Sequence, residues 1–155
     1  MLRPLCVAAV TILLATAALA EHSCNCCQPW AGIYPTVLTP WSCDCTVDEA
    51  SLEAQLRYEL AGGVQGVLVL GSLGEGERAS MEARARVLAV TARTVAGCVP
   101  FVVGIHTCDV ESAKMQLLQA KEAGAGAVLV KYKGNPNASA CQVLAFYQQL
   151  SDLGA

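Results

Sequence analysis

Gly66-Val67-Leu68-Val69-Leu70-Gly71-Ser72-Leu73-Gly74-Glu75 is the stretch whose reading decides the fold. Its four consecutive apolar residues do not alternate with polar ones, so both faces of the strand they form must be covered, as in a parallel sheet flanked by helices. The glycines that follow at once demand a tight turn at the carboxyl end of that strand. Residues 33–38, 101–105 and 127–131 repeat the pattern, and segments of helical period separate the four. Leu52, Leu56 and Leu60 recur every four residues before the quoted stretch, and Val110, Ala113, Leu117 and Ala120 line one face further on.

This alternation predicts an α/β fold of four βα units on a parallel sheet, with all four strands central and buried. Helix ends are signalled by a Thr46-Val47-Asp48-Glu49 capping box, by Ser80 and Asp109 as N-caps, and by Gly62, Gly97 and Gly124 as C-caps. The order helix, glycine, strand occurs twice, at Gly63-Val64-Gln65-Gly66-Val67 and Gly124-Ala125-Gly126-Ala127-Val128. A last helix is expected over 139–153, carrying Val143, Leu144, Phe146, Tyr147 and Leu150.

The 155 residues allow one domain, and the 54% apolar against 15% charged content excludes a disordered chain. Met1-Leu2-Arg3-Pro4 followed by an uncharged run to Leu19 and by Ala18-Leu19-Ala20 reads as a cleavable signal peptide over 1–20. The expected organisation is therefore that peptide, a Cys-rich tail over 21–31, and an α/β body over 32–155. Cleavage removes one charged residue, Arg3, and takes the net charge from −3 to −4. That balance disfavours a nucleic-acid partner, and no later segment is apolar enough to stay in a membrane. Export to a secreted or periplasmic location follows.

Eight of the nine cysteines lie after residue 20. An even count behind a signal peptide favours disulfides, and bridges from Cys24, Cys26 or Cys27 to Cys43 or Cys45 would tie the tail to the loop after the first strand. Each would close roughly 20 residues, worth about 3 kcal/mol in the chain-entropy picture. Zinc is the rival, but C-x-C-C and C-x-C are not the usual ligand spacings, so no metal is assigned. Cys98 and Cys141 read as small buried hydrophobes or an occasional disulfide.

Ligands of parallel α/β folds gather where strands end. The turn Gly71-Ser72-Leu73-Gly74 offers backbone N–H groups and a hydroxyl to a small anion, a carboxylate or phosphate; it lacks the lysine of a P-loop and the spacing of a dinucleotide fingerprint. His106, at the end of the third strand, is a possible base that reads as structural or solvated, and His22 as inert. Glu75 and Glu77 read as dipole partners in a first helical turn, and Arg84 and Arg86 as a solvated helix face. Asn137-Ala138-Ser139 is a glycosylation acceptor pattern in the loop after the fourth strand.

Ile33-Tyr34-Pro35-Thr36-Val37-Leu38-Thr39-Pro40, Asp48, the quoted stretch, Ser80-Met81-Glu82-Ala83-Arg84, Pro100-Phe101-Val102-Val103-Gly104 and Gly124-Ala125-Gly126-Ala127-Val128 together resemble the dihydrodipicolinate synthase and N-acetylneuraminate lyase family, in order and spacing. The resemblance implies the N-terminal half of a (β/α)8 barrel. It further implies an enzyme that forms a Schiff base between a lysine and pyruvate or a related 2-oxo acid, then makes or breaks a carbon–carbon bond. No cofactor and no metal are implied, and a homo-oligomer is expected.

Residue by residue, the proton-relaying hydroxyl of the family's turn matches Ser72, the carboxylate-holding position matches Leu73, and Gly71 and Gly74 shape the turn. Leucine at 73 keeps the backbone N–H but lacks the family's threonine hydroxyl. Tyr132 matches the family's second relay tyrosine in a segment one residue shorter. The family's acid/base tyrosine and Schiff-base lysine would both fall after Ala155, which predicts a chain inactive on its own; Lys131 and Lys133 are poor replacements. A secreted, disulfide-stapled binding protein without catalysis is the alternative, and a cytoplasmic location, usual for the family, is the alternative to export.

Overall fold

The computed structural model describes residues 30–151. Four helices and three strands alternate: α1 (Glu49–Ala61), β1 (Val67–Val69), α2 (Met81–Val95), β2 (Phe101–Thr107), α3 (Val110–Glu122), β3 (Ala127–Tyr132) and α4 (Ala140–Ser151). The strands form a parallel sheet in the order β1-β2-β3, with Val67 opposite Phe101 and Val102 opposite Ala127. Each return to the sheet is made by a helix, as parallel connections require.

Residues 33–38 run beside β1 but make a single bridge, Thr36 to Leu68, where a full strand was predicted. Val37 N–H donates to Leu68 and Leu68 N–H to Pro35, so the direction is parallel. Two backbone facts shorten the ladder: Pro35 has no N–H, and Ile33 N–H is taken by the Gln65 side chain at 2.8 Å. The expectation of four buried strands also fails at β3, where Leu129 is 51% exposed and Lys131 is exposed. Among the described residues β3 pairs only with β2, and its inner face carries no cover.

Alternation along β2 divides the molecule into two faces. Phe101 and Val103 enter a core with Leu52 and Leu56 of α1 and Val87, Leu88 and Val90 of α2. Ile105 enters a second cluster with Ala113 and Leu117 of α3 and Phe146 and Leu150 of α4. Full burial of a leucine such as Leu52 or Leu56 contributes about 2 kcal/mol. Val102, Gly104 and His106 therefore face away from the helices.

The helix starts agree with the capping signals at Ser80, whose side chain accepts from Ala83 N–H, and at Asp109, which accepts from Ser112 N–H. At α1 the cap is Asp48 rather than Thr46, because Thr46 is itself held by Asp44, through both its N–H and its hydroxyl. The bonds from Ser51 keep the Asp48 carboxyl below the usual carboxylate range. The chain after α2 turns at Ala96, left-handed at φ 44°, before Gly97.

Cys98 and Cys141, predicted buried, are exposed, as are Cys43, Cys45 and Cys108; among the described residues all five are free. Cys98 sits in the turn after α2, and Cys141 on the outer side of the first turn of α4, where nothing packs on it. The signal peptide, His22, and Cys24, Cys26 and Cys27 of the expected bridges lie outside the described residues. No helix among the described residues is long and apolar enough to cross a membrane.

Candidate functional site

The carboxyl ends of β1, β2 and β3 open on one mouth. Three loops form it: the turn after β1, the residues after β2 beginning at Cys108, and the segment from Lys133 to Asn137. The turn is built by backbone constraint. Leu70 is left-handed at φ 55° and Glu75 at φ 53°, conformations that cost a non-glycine residue roughly 1 kcal/mol or more and that cluster where a loop is held in a working shape.

Glycines let this turn lie flat on its neighbours. A Cβ on Gly104 of β2 would overlap the Leu70 carbonyl, and a Cβ on Gly74 would come within 2.7 Å of the Val37 carbonyl. Thr39 Oγ1, buried, donates to the Gly74 carbonyl at 2.6 Å, and Gly76 N–H donates to the Gly71 carbonyl at 3.2 Å. These bonds consume the carbonyls and leave the donors: among the described residues, the N–H groups of Ser72 and Leu73 have no acceptor. Both residues are exposed, Leu73 at 68%. Successive unspent N–H groups beside an exposed hydroxyl are suited to a small anion.

Arg84 overturns its sequence reading. It is 1% exposed, not solvated, and its guanidinium donates to the carbonyls of Gly76, at 3.2 Å, and Gly104, at 2.9 Å. It thereby ties the turn after β1 to β2. Burial lowers its pKa to about 10, still charged at neutral pH. The signal was available, because Arg84 shares the stripe of Val87, Leu88, Thr91 and Val95, all buried on one face of α2. Arg86 does lie on the outer face, paired with Glu82 at 3.0 Å.

Glu75 and Glu77 do not lie in the first turn of a helix, since α2 begins only at Met81. Glu75 accepts from the Trp41 indole at 2.9 Å, which joins the segment following residues 33–38 to the turn after β1. Glu77 pairs with Lys133 at 2.9 Å, and that bond holds its carboxyl below the usual range. The pair joins the turn after β1 to the end of β3, with β2 between them.

His106 lies within β2, not after it, and is 8% exposed with both ring nitrogens unpartnered. Burial, and secondarily Lys131, lower its pKa and favour the neutral ring. Lys131 stands in register beside it on β3. Tyr132, the next residue, points the other way: its ring packs edge-on against Phe146 at 5.3 Å in the helix-side cluster. Its hydroxyl ends against Gly134 and near Cys108, at the rim of the mouth.

Residues 29–132 match the Dihydrodipicolinate synthetase family over more than half of the chain. The chain belongs to the dihydrodipicolinate synthetase family. The matched segment contains all three strands and the whole turn, and α4 follows it.

A 4-hydroxy-tetrahydrodipicolinate synthase from Methanosphaerula palustris is 31% identical over 126 residues, covering 79% of this chain and 43% of that protein. A putative dihydrodipicolinate synthetase from Pseudomonas aeruginosa superposes at TM-score 0.74 with 27% identity, over 78% of this chain and 42% of that one. YagE, an E. coli K12 prophage protein of the dihydrodipicolinic acid synthase family solved in complex with pyruvate, gives the same TM-score at 24% identity, over 81% of this chain and 42% of its own. The chain thus spans about two fifths of the length of these relatives, and its parallel strands alternating with helices form part of a (β/α)8 barrel.

Proposed function

We propose that this chain binds pyruvate or a related 2-oxo acid by its carboxylate, as part of a carbon–carbon lyase or synthase of the dihydrodipicolinate synthase kind. The observation that carries the reading is the pair of unspent N–H groups at Ser72 and Leu73, inside the segment that matches the family. In this reading the carboxylate sits on the Leu73 and Ser72 amides, Gly71 and Gly74 let the backbone approach it, and the Ser72 hydroxyl relays a proton. Tyr132, with its hydroxyl at the rim, is the second relay.

Lys131 and Lys133 do not supply a Schiff base. Both are exposed and Lys133 is held by Glu77, whereas a nucleophilic lysine needs desolvation or a neighbouring cation. The chain alone therefore binds without turnover, and no cofactor or metal is required. Titrating the labelled protein with pyruvate should shift the amide resonances of Ser72 and Leu73, while borohydride with pyruvate should leave its mass unchanged. Silent amides would refute the binding role, and a covalent adduct would refute the inactivity.

The outer edge of β3, unpaired among the described residues, favours association between copies, so the protein should elute above its monomer mass. A second reading, a secreted disulfide-stapled binding protein, is favoured by the exposed cysteines and the exposed Asn137 of the sequon. Titrating thiols in the exported product without reductant separates the two, since eight free thiols would eliminate the stapled form.

A further inference from the structure

A cavity of about 630 Å³ lies at the other end of the sheet from the mouth. Its walls include residues just before each strand, Gln65 ahead of β1, Cys98 and Pro100 ahead of β2, and Gly126 ahead of β3, with Trp30 and Tyr34 beside them. Contact fixes the Trp30 ring there: it lies against Tyr34 with centroids 5.8 Å apart, and a Cβ on Gly126 would come within 2.8 Å of it. Trp30 is nonetheless 54% exposed and Cys98 is exposed, so apolar surface is left uncovered where the chain enters the fold.

Cys24, Cys26 and Cys27 stand three to six residues before Trp30. Three residues of extended chain reach at most about 11 Å, and a disulfide spans about 6 Å between Cα atoms. A sphere of the cavity's volume is about 11 Å across, so Cys98 is within reach of Cys27. Cys43 and Cys45, the partners expected from the sequence, are not. They follow Trp41, which bonds Glu75 at the mouth, and the seven residues of β2 separate the two ends of the sheet by about 20 Å. Cys24 would span that distance only by running back fully extended along the sheet.

The segment also suits the cavity chemically. None of the described residues lining the cavity is charged, nor is any residue from Ser23 to Pro29, and cysteine is among the most readily buried residue types. We propose that the Cys24-Asn25-Cys26-Cys27 segment seats in this cavity and is fastened there by a disulfide to Cys98. A tail thiolate attacks a small-molecule disulfide such as oxidised glutathione and releases one glutathione; the Cys98 thiolate then attacks the tail sulfur of the mixed disulfide and releases the second. The two thiols thus lose two protons and two electrons, which leave on the two glutathione thiols. The carboxylate turn, at the opposite end of the sheet, takes no part.

The test is to equilibrate the full chain with oxidised and reduced glutathione, alkylate the free thiols and cut after aromatic residues. Cuts at Trp30 and Trp41 separate Cys27 from Cys43, and a cut at Phe101 separates Cys98 from Cys108. The peptide ending at Trp30 should be found linked to the one ending at Phe101, in monomeric protein and at least about tenfold above any link to Cys43 or Cys45, because tethering holds the tail thiols at an effective concentration of millimolar or more. The oxidised chain should unfold at roughly 1–2 M more urea than the reduced one, and Cys98→Ser should abolish both the link and that difference. Cys98 fully alkylated while the tail carries glutathione, or a tail linked to Cys43 or Cys45, overturns the proposal. A link found only in covalent dimers would make a second copy the occupant and overturns it equally. A link without any gain in urea resistance shows a tail that reaches Cys98 without seating in the cavity, and refutes the seat.

Discussion

Arg84→Met tests whether a buried arginine, rather than the turn's own sequence, holds the candidate site in shape. Methionine keeps most of the buried stem but removes the donors to the Gly76 and Gly104 carbonyls. Two orphaned buried acceptors cost about 1–3 kcal/mol each. Part of this is offset, because the wild type buries a cation whose Nε is unpaired, and removing an imperfectly paired charge returns a few kcal/mol. The expected net loss is about 1–3 kcal/mol. With a urea m-value of about 2 kcal/mol/M, the unfolding midpoint should fall by roughly 0.5–1.5 M. The turn should suffer beyond its share of stability, with the Ser72 and Leu73 amides broadened and pyruvate affinity reduced under conditions where the variant is fully folded. Arg84→Lys, which can satisfy one carbonyl but not both, should fall between. A midpoint equal to or above that of the wild type, with unchanged turn resonances, would refute the claim that Arg84 pins the turn to β2.

Gly104→Ala should destabilise by about 2–3 kcal/mol in the same denaturation assay and abolish pyruvate binding, because its Cβ would overlap the Leu70 carbonyl. Gly63→Ala, with open space but φ +79°, should cost only about 1 kcal/mol and leave binding intact; equal costs would show that the close approach is not what matters. Leu73→Thr adds a hydroxyl at an exposed position, so pyruvate should bind roughly tenfold more tightly at unchanged stability, measured by calorimetry. The lowered pKa of His106 means that the unfolded chain binds more protons as pH falls below about 6.5, so the stability His106 contributes above that pH is lost on acidification through its folded pKa. That slope should flatten in His106→Gln, and an unchanged slope would place the titrating group elsewhere.

The elements themselves were legible in local chemistry. Unalternating apolar runs marked the strands β1 and β2 but overstated residues 33–38, which make one bridge, and the burial of β3, where Leu129 is exposed; leucines at a period of four marked a helix laid on the sheet, and Ser80 and Asp109 the helix starts they cap. The turn was legible for the same reason, since Gly71 and Gly74 bracket Ser72 directly after an apolar run. Resemblance added the barrel, which four βα units do not specify alone. Cys98 and Cys141 were misread because cysteine burial is a tendency of the residue type and not of the position.

By itself, then, the sequence determined the order of helices and strands, except that residues 33–38 make one bridge rather than a strand, where the glycine-rich turn falls and which family the chain resembles. Only the tertiary structure decided what each charged side chain does at the mouth. It buried Arg84 under the turn, joined Glu77 to Lys133 across β2, turned Glu75 towards Trp41, and set His106 beside Lys131 with its nitrogens unspent. The reason is physical: strand and helix periodicities arise between residues a few positions apart, whereas the partner of a buried charge can lie anywhere along the chain and exists only once the sheet has brought it near.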